Sequence, residues 1–233
     1  MNLLILFLSV VIGVIIVTVF KPKVKYTQIL LSFSGAYLLA ITLTHLLPEI
    51  FHSQAHMEDH GHDVHSYNVS IFILIGLLIQ LIMDYFSRGI EHGHMHTHKN
   101  EELPKVLFIS LCIHAFMEGM PIGHDKHEEL LWAVIVHKVP IAIVLSSFLL
   151  TQKNKRVTNI ILLLVFALMS PLGSLAGANF DFLVHYQNEI NAIIVGIFLH
   201  ISTIIIFESS KDHKINIAKF IAILVGFGIA LMI

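Results

Sequence analysis

Two histidines and a glutamate stand within apolar runs of this 233-residue chain, where an ionisable side chain is out of place unless it has partners. In His114-Ala-Phe-Met-Glu118-Gly-Met-Pro121 an imidazole and a carboxylate lie four residues apart. On a helix that spacing brings two side-chain ends to one face, close enough to share an ion. The next apolar run adds His137, followed by Lys138-Val139-Pro140. Neutral imidazole suits zinc, copper, nickel and iron, and a carboxylate offsets part of the charge of a dication. Two His and one Glu are therefore a plausible set of zinc ligands. Pro121 and Pro140 fall within or just beyond the same helices, where they free backbone groups or bend the axis, which is tolerated where helices line a cavity.

Other polar residues invite a weaker reading of the same kind. His45 and Glu49, in Thr44-His45-Leu46-Leu47-Pro48-Glu49, again stand four apart and offer either a further ligand pair on the approach to the site or an ordinary interfacial polar pair. Asp84 and Gln80, also four apart, either receive an ion on its way out or, in the plainer reading, belong to a structural pairing of Asp84 with Arg88. His200 has no evident partner on its own helix and reads first as a packing residue. Two His-rich tracts complete the set. One holds His92, His94, His96 and His98, the other His52, His56, His60, His62 and His65 with Glu58, Asp59 and Asp63, and tracts of this composition bind metals.

The elements that carry these residues follow from composition. Hydrophobic residues make up 56% of the chain and charged ones only 13%, against roughly 25% charged in soluble globular domains. A membrane span needs about 20 mostly apolar residues. Apolar runs and their charged or Pro/Gly punctuation predict eight spans, near 2–20, 27–51, 69–88, 104–122, 130–150, 157–178, 189–209 and 215–233, joined by short loops. The expected fold class is an all-α integral membrane bundle, a single transmembrane transporter domain over 1–233 with His-rich loops at 52–66 and 91–102. Met1 to Phe20 lacks a basic n-region and a cleavage site, and reads as a retained first span. An ionised group at mid-membrane costs about 2.5 to 3.5 kcal/mol, so His114, Glu118 and His137 need one another or a bound cation.

Charge distribution orients the bundle. Of the 14 Lys and Arg residues, Lys21, Lys23, Lys25, Arg88, Lys99, Lys105, Lys153, Lys155, Arg156, Lys211, Lys214 and Lys219 fall on one side, which the positive-inside rule makes the cytoplasm. Both termini and the loop at 52–66 are then expected outside, with the loop at 91–102 inside. Gly35 to Thr42 in the second span matches Gly196 to Thr203 in the seventh, which crosses in the opposite direction, so the first to third and sixth to eighth spans are expected to form an inverted repeat around the fourth and fifth. A net charge of −2 supplies no basic field for nucleic acid. The single Cys112 cannot form an intramolecular disulfide.

His114-Ala-Phe-Met-Glu118-Gly119 resembles the fourth-helix H-S-x-x-E-G motif of the ZIP family of zinc and iron-regulated transporter-like proteins. His137-Lys138 resembles the fifth-helix H-K of the subgroup with a single main transport site, Ser170-Pro171-Leu172-Gly173 its T-P-L-G stretch, and His45-Leu46-Leu47-Pro48-Glu49 the ending of the second helix. The resemblance implies an eight-helix bundle with metal held between the fourth and fifth helices, and uptake toward the cytoplasm. Subgroups with paired metals look as if they carry Asn after the fourth-helix His and a carboxylate one turn beyond the fifth-helix His; Ala115 and Ile141 stand at those positions here. Lys138 is a candidate stand-in for the second cation. Glu208, near the end of the seventh span, has no clear role.

The expected function is transport of Zn2+, or of the similar ions Fe2+, Mn2+ or Cd2+, as substrate, without a resident cofactor and without enzymatic activity. The expected partners are the divalent ion and the lipid bilayer, with a second copy in a homodimer as a candidate, in a multi-pass protein of a cell (inner) membrane. A cation-diffusion exporter would show a paired H-x-x-x-D site and a soluble C-terminal domain, whereas this sequence closes on the apolar run Ala218 to Ile233. A His-rich membrane metalloenzyme would need H-E-x-x-H, which is absent, or His clusters on one side of the membrane. A metal sensor or store would leave the intramembrane His and Glu unexplained.

Overall fold

Long apolar runs can lie in a bilayer only if every backbone N–H and C=O is satisfied within the run, which a helix does by itself. In the computed structural model, which describes residues 2–58, 69–87, 105–123, 128–151, 156–208 and 216–233, the apolar runs are helical throughout. Helix α1 spans Asn2–Phe20 and α2 spans Val24–Ile41. A π-helical turn over Thr42–Leu46 carries α2 into α3, Leu47–Glu58. Helix α4 is Val69–Ser87, and α5 is Lys105–Gly119, followed by a 3-10 turn over Pro121–Gly123. Helices α6, Glu128–Thr151, and α7, Arg156–Asn179, contain Pro140 and Pro171 respectively. The short α8, Asp181–His185, leads into α9, Gln187–Glu208, and α10 is Ile217–Ala230.

The eight predicted spans thus correspond to α1, α2 with α3, α4, α5, α6, α7, α9 and α10. Among the described residues six of these are long and apolar enough to cross a membrane, while Val69–Tyr85 of α4 and Ile217–Ala230 are shorter apolar helices. The outward faces are apolar too: Ile71, Leu74, Leu78, Leu81 and Tyr85 form an exposed stripe along α4 at helical spacing. An apolar exterior around an all-helical bundle makes this an integral, multi-pass membrane protein. Three local features depart from expectation: α8, too short to register as an apolar run; the π turn; and the end of the last helix at Ala230, before the chain's final residues.

Helix pairing has a two-fold pattern. Helix α2 packs along α10 as α9 packs along α4, and α1 packs along α6 as α7 packs along α5. Exchanging α1 with α7, α2 with α9, α4 with α10 and α5 with α6 maps these pairs onto one another, whereas the α2–α6 pair has no such counterpart. The same pairings gather α1, α5, α6 and α7 into one set and α2, α4, α9 and α10 into another, joined mainly where α2 meets α6. One apolar cluster, with Leu111, Ala115, Leu145 and Phe166, fills the first set; another, with Leu38, Ile41, Val134, Val195 and Phe198, bridges α2, α6 and α9.

Candidate metal centre

The centre is built on α5 and α6. One turn of α5 separates His114 from Glu118, so their ends meet: His114 Nε2 lies 2.7 Å from Glu118 Oε1. From α6, His137 Nε2 comes within 3.6 Å of the same oxygen. The two imidazoles stand edge to face, 6.0 Å between centroids. One ligand atom from each of the three residues lies within 4.8 Å of the others, and among the described residues no other group of three His, Cys, Asp or Glu does so. Two ligands of one tetrahedral zinc, each about 2.0 to 2.1 Å from it, sit roughly 3.3 Å apart. The observed separations bracket that value, so small side-chain movements would bring all three atoms onto one ion.

Burial sets the electrostatics. His114, Glu118 and His137 are 2%, 1% and 0% exposed. A carboxylate so far from water requires positive charge or donors around it. On its other oxygen it has Lys138, whose Nζ donates to Glu118 Oε2 at 3.2 Å. Lys138 is itself fully buried, donates also to Ser170 Oγ of α7, and lies 5.2 Å from the centroid of the Phe166 ring. Glu118 thus has one oxygen toward the imidazoles and one toward the ammonium. Pro140, one turn beyond His137, lacks the N–H that would serve the carbonyl of Val136, loosening the helix beside the centre.

A close approach of α7 to α5 completes the wall. A Cβ on Gly119 would collide with the Ser170 carbonyl, and one on Gly173 with the Phe116 carbonyl. Glycine at both positions lets the two backbones touch, as small residues do between membrane helices. Ser170 Oγ thereby reaches the carbonyl of Ala115 at 2.5 Å.

The remaining candidates are dispersed. His45 lies in the π turn, half-buried, its Nδ1 2.7 Å from Thr44 Oγ1. Glu49, half-buried on α3, lines a small cavity with Leu46, Ile50, Pro121 and Asn191. Neither joins the group formed by His114, Glu118 and His137. Asp84 is half-buried and Gln80 buried on α4, whereas Arg88 lies outside the described residues. His200 is half-buried on α9, and His52 is exposed on α3. His60, His62, His65, His92, His94, His96 and His98 lie outside the described residues, and of His56 only the backbone, in α3, is described. The residue beside the centre that the sequence did not single out is Ser170, quoted only as part of a motif; its signal was a hydroxyl directly before a proline inside an apolar run.

An all-helical membrane bundle with a buried His/Glu group between two of its helices defines a class: integral membrane proteins with a candidate metal site inside the bundle. Comparison with known proteins narrows it. The family profile described as "ZIP Zinc transporter" matches residues 104–233, more than half of the chain and all of α5 to α10. The protein belongs to the ZIP zinc transporter family, a family of transporters and not of enzymes. Its relatives include Protein zntD of Dictyostelium discoideum, 28% identical over 163 residues that cover 60% of this chain and 24% of that one. Zinc transporter ZIP1 of Danio rerio is 30% identical over 154 residues, 59% of this chain and 49% of its own. Zinc transporter ZIP1 of Plasmodium falciparum is 23% identical over 272 aligned positions, 82% of this chain and 73% of its own. The chain thus spans about a quarter and about half of the first two relatives.

Proposed function

We propose that this protein carries zinc, or a similar divalent ion, across the membrane into the cytoplasm through a site made of His114, Glu118 and His137. The observation that carries this reading is the convergence of three metal-ligating side chains, all nearly inaccessible to water, inside an apolar bundle. Family membership and the names of the zinc transporters among its relatives support the substrate. Two imidazoles and one carboxylate favour Zn2+ but would also accept Fe2+, Mn2+ or Cd2+, so affinity by itself does not select the metal.

The ion sheds most of its water on entering and takes Glu118 Oε1 and the two Nε2 atoms in exchange. Lys138 keeps Glu118 Oε2 on the far side of the carboxylate and occupies the place of a second cation, which neutralises the carboxylate when no metal is bound. His45, Glu49 and the cavity beside Pro121 lie on the approach from outside; Asp84 lies on the way out, and the His-rich loops hold ions near either mouth. Both termini face outside in this reading, in a cell (inner) membrane. For alternating access, the helix sets suggest a boundary: the centre rides on α5 and α6 with α1 and α7, and that set meets α2, α4, α9 and α10 mainly where α6 lies along α2. Sliding of one set against the other would expose the site to each side in turn; it replaces a rocking of the two repeats around the fourth and fifth spans, because each set holds helices of both repeats.

Zinc uptake into proteoliposomes or metal-starved cells tests the reading at equal membrane abundance of each variant. The native chain is expected to accumulate metal, while His114→Ala and Glu118→Ala do not. Variants that match the native rate would remove the central site from the mechanism, and release of metal from cells in place of uptake would reverse the direction.

A further inference from the structure

We propose that Ser170 is a positioning residue of the metal centre: its hydroxyl holds the Lys138 ammonium on the Oε2 side of Glu118 and so keeps Oε1 open for the ion. This rests on the reading of His114, Glu118 and His137 as the metal site.

The hydroxyl is engaged in both directions. It accepts from Lys138 Nζ and donates to the carbonyl of Ala115 at 2.5 Å. A serine hydroxyl has one proton. With that proton committed to Ala115, its oxygen lone pairs face the ammonium, so the acceptor role toward Lys138 is fixed by the backbone of α5. Ser170 is fully buried, and the backbone contacts at Gly119 and Gly173 hold α7 where the hydroxyl can reach. Phe166, one turn earlier on α7, presents its ring 5.2 Å from the same Nζ, so two side chains of α7 approach the cation.

The consequence lies in how Glu118 is shared. Its Oε1 faces His114 and His137, and its Oε2 faces Lys138 at 3.2 Å. An ammonium that lost the Ser170 oxygen would have the carboxylate as its remaining oxygen partner among those described here, and no tether to prevent it from moving over both oxygens. It would then compete with the incoming ion for Oε1. Ser170 thus acts on metal affinity through Lys138 without touching the metal.

The test is metal binding to the purified full chain, measured as Co2+ affinity from the visible absorption lost in His114→Ala, so that loop histidines do not contribute. Ser170→Ala is expected to weaken Co2+ binding by roughly five- to tenfold, the size of a typical coupling between contacting residues. Ser170→Thr, which keeps the hydroxyl, restores the native value. In a Lys138→Met background the further change Ser170→Ala has little effect, because the group it positions is gone. Unchanged affinity in Ser170→Ala overturns the proposal, as does a loss that Ser170→Thr fails to restore or that persists undiminished in Lys138→Met. Because the readout is binding, a native chain that binds Co2+ at this site but moves no zinc refutes the transport reading and leaves Ser170 to be judged on affinity.

Discussion

Two of the apolar runs, the second and the fourth, each end on His followed four residues later by Glu near a proline, and the molecule uses the two pairs differently. His114 and Glu118 lie on regular α5, nearly inaccessible to water, and meet His137 from α6. His45 lies in the π turn that joins α2 to α3 and Glu49 just beyond it, both half-buried, and among the described residues they gather no third ligand of the same kind. In a π turn the backbone bonds run i to i+5, so residues four apart no longer stack as they do in an α-helix. Thr44 further engages His45 Nδ1. Spacing makes a pair of ligands available; a straight helix, burial and a second helix make a centre.

The largest expected difference between the two regions is in metal affinity. Glu118→Gln, nearly isosteric, is expected to lower Co2+ or Zn2+ binding at least about a hundredfold, since even outer partners of metal ligands are worth tenfold to a hundredfold. Glu49→Gln should leave that central affinity within about twofold, because it does not join the group. Equal losses from the two substitutions would abolish the distinction drawn here.

A second expectation concerns the scaffold that only the buried region has. Gly173→Ala forces a Cβ against the Phe116 carbonyl and should destabilise the fold by about 1 to 3 kcal/mol, read as a lower midpoint of thermal unfolding in detergent. The contrasting change Leu172→Ala, on the exposed neighbouring position of α7, should shift that midpoint far less. The smallest expected effect is at the mouth: His45→Ala should raise the KM for zinc uptake by less than about tenfold with the maximal rate retained. A collapse of the maximal rate would instead place His45 among the groups that hold the ion in transit.

Much of this was legible from the chain itself, for reasons that can be named. Apolar runs near 20 residues leave the backbone no choice but to satisfy itself, so the helices and the membrane class follow from composition and length. His114 and Glu118 share a face because helical periodicity is local, and the penalty for an unpartnered charge in a bilayer singles them out as candidates. Tertiary structure decided everything that depends on which helices touch. That His137 approaches Glu118 Oε1 and Lys138 Oε2, from adjacent positions on α6, is a matter of how α6 lies against α5. Ser170 joins them because glycines at 119 and 173 let α7 reach the backbone of α5, a contact between residues about fifty positions apart. The π turn that separates the fate of His45 from that of His114 left no local signal, since inserting one residue into a helix changes the facing of side chains without changing their apolar or polar character.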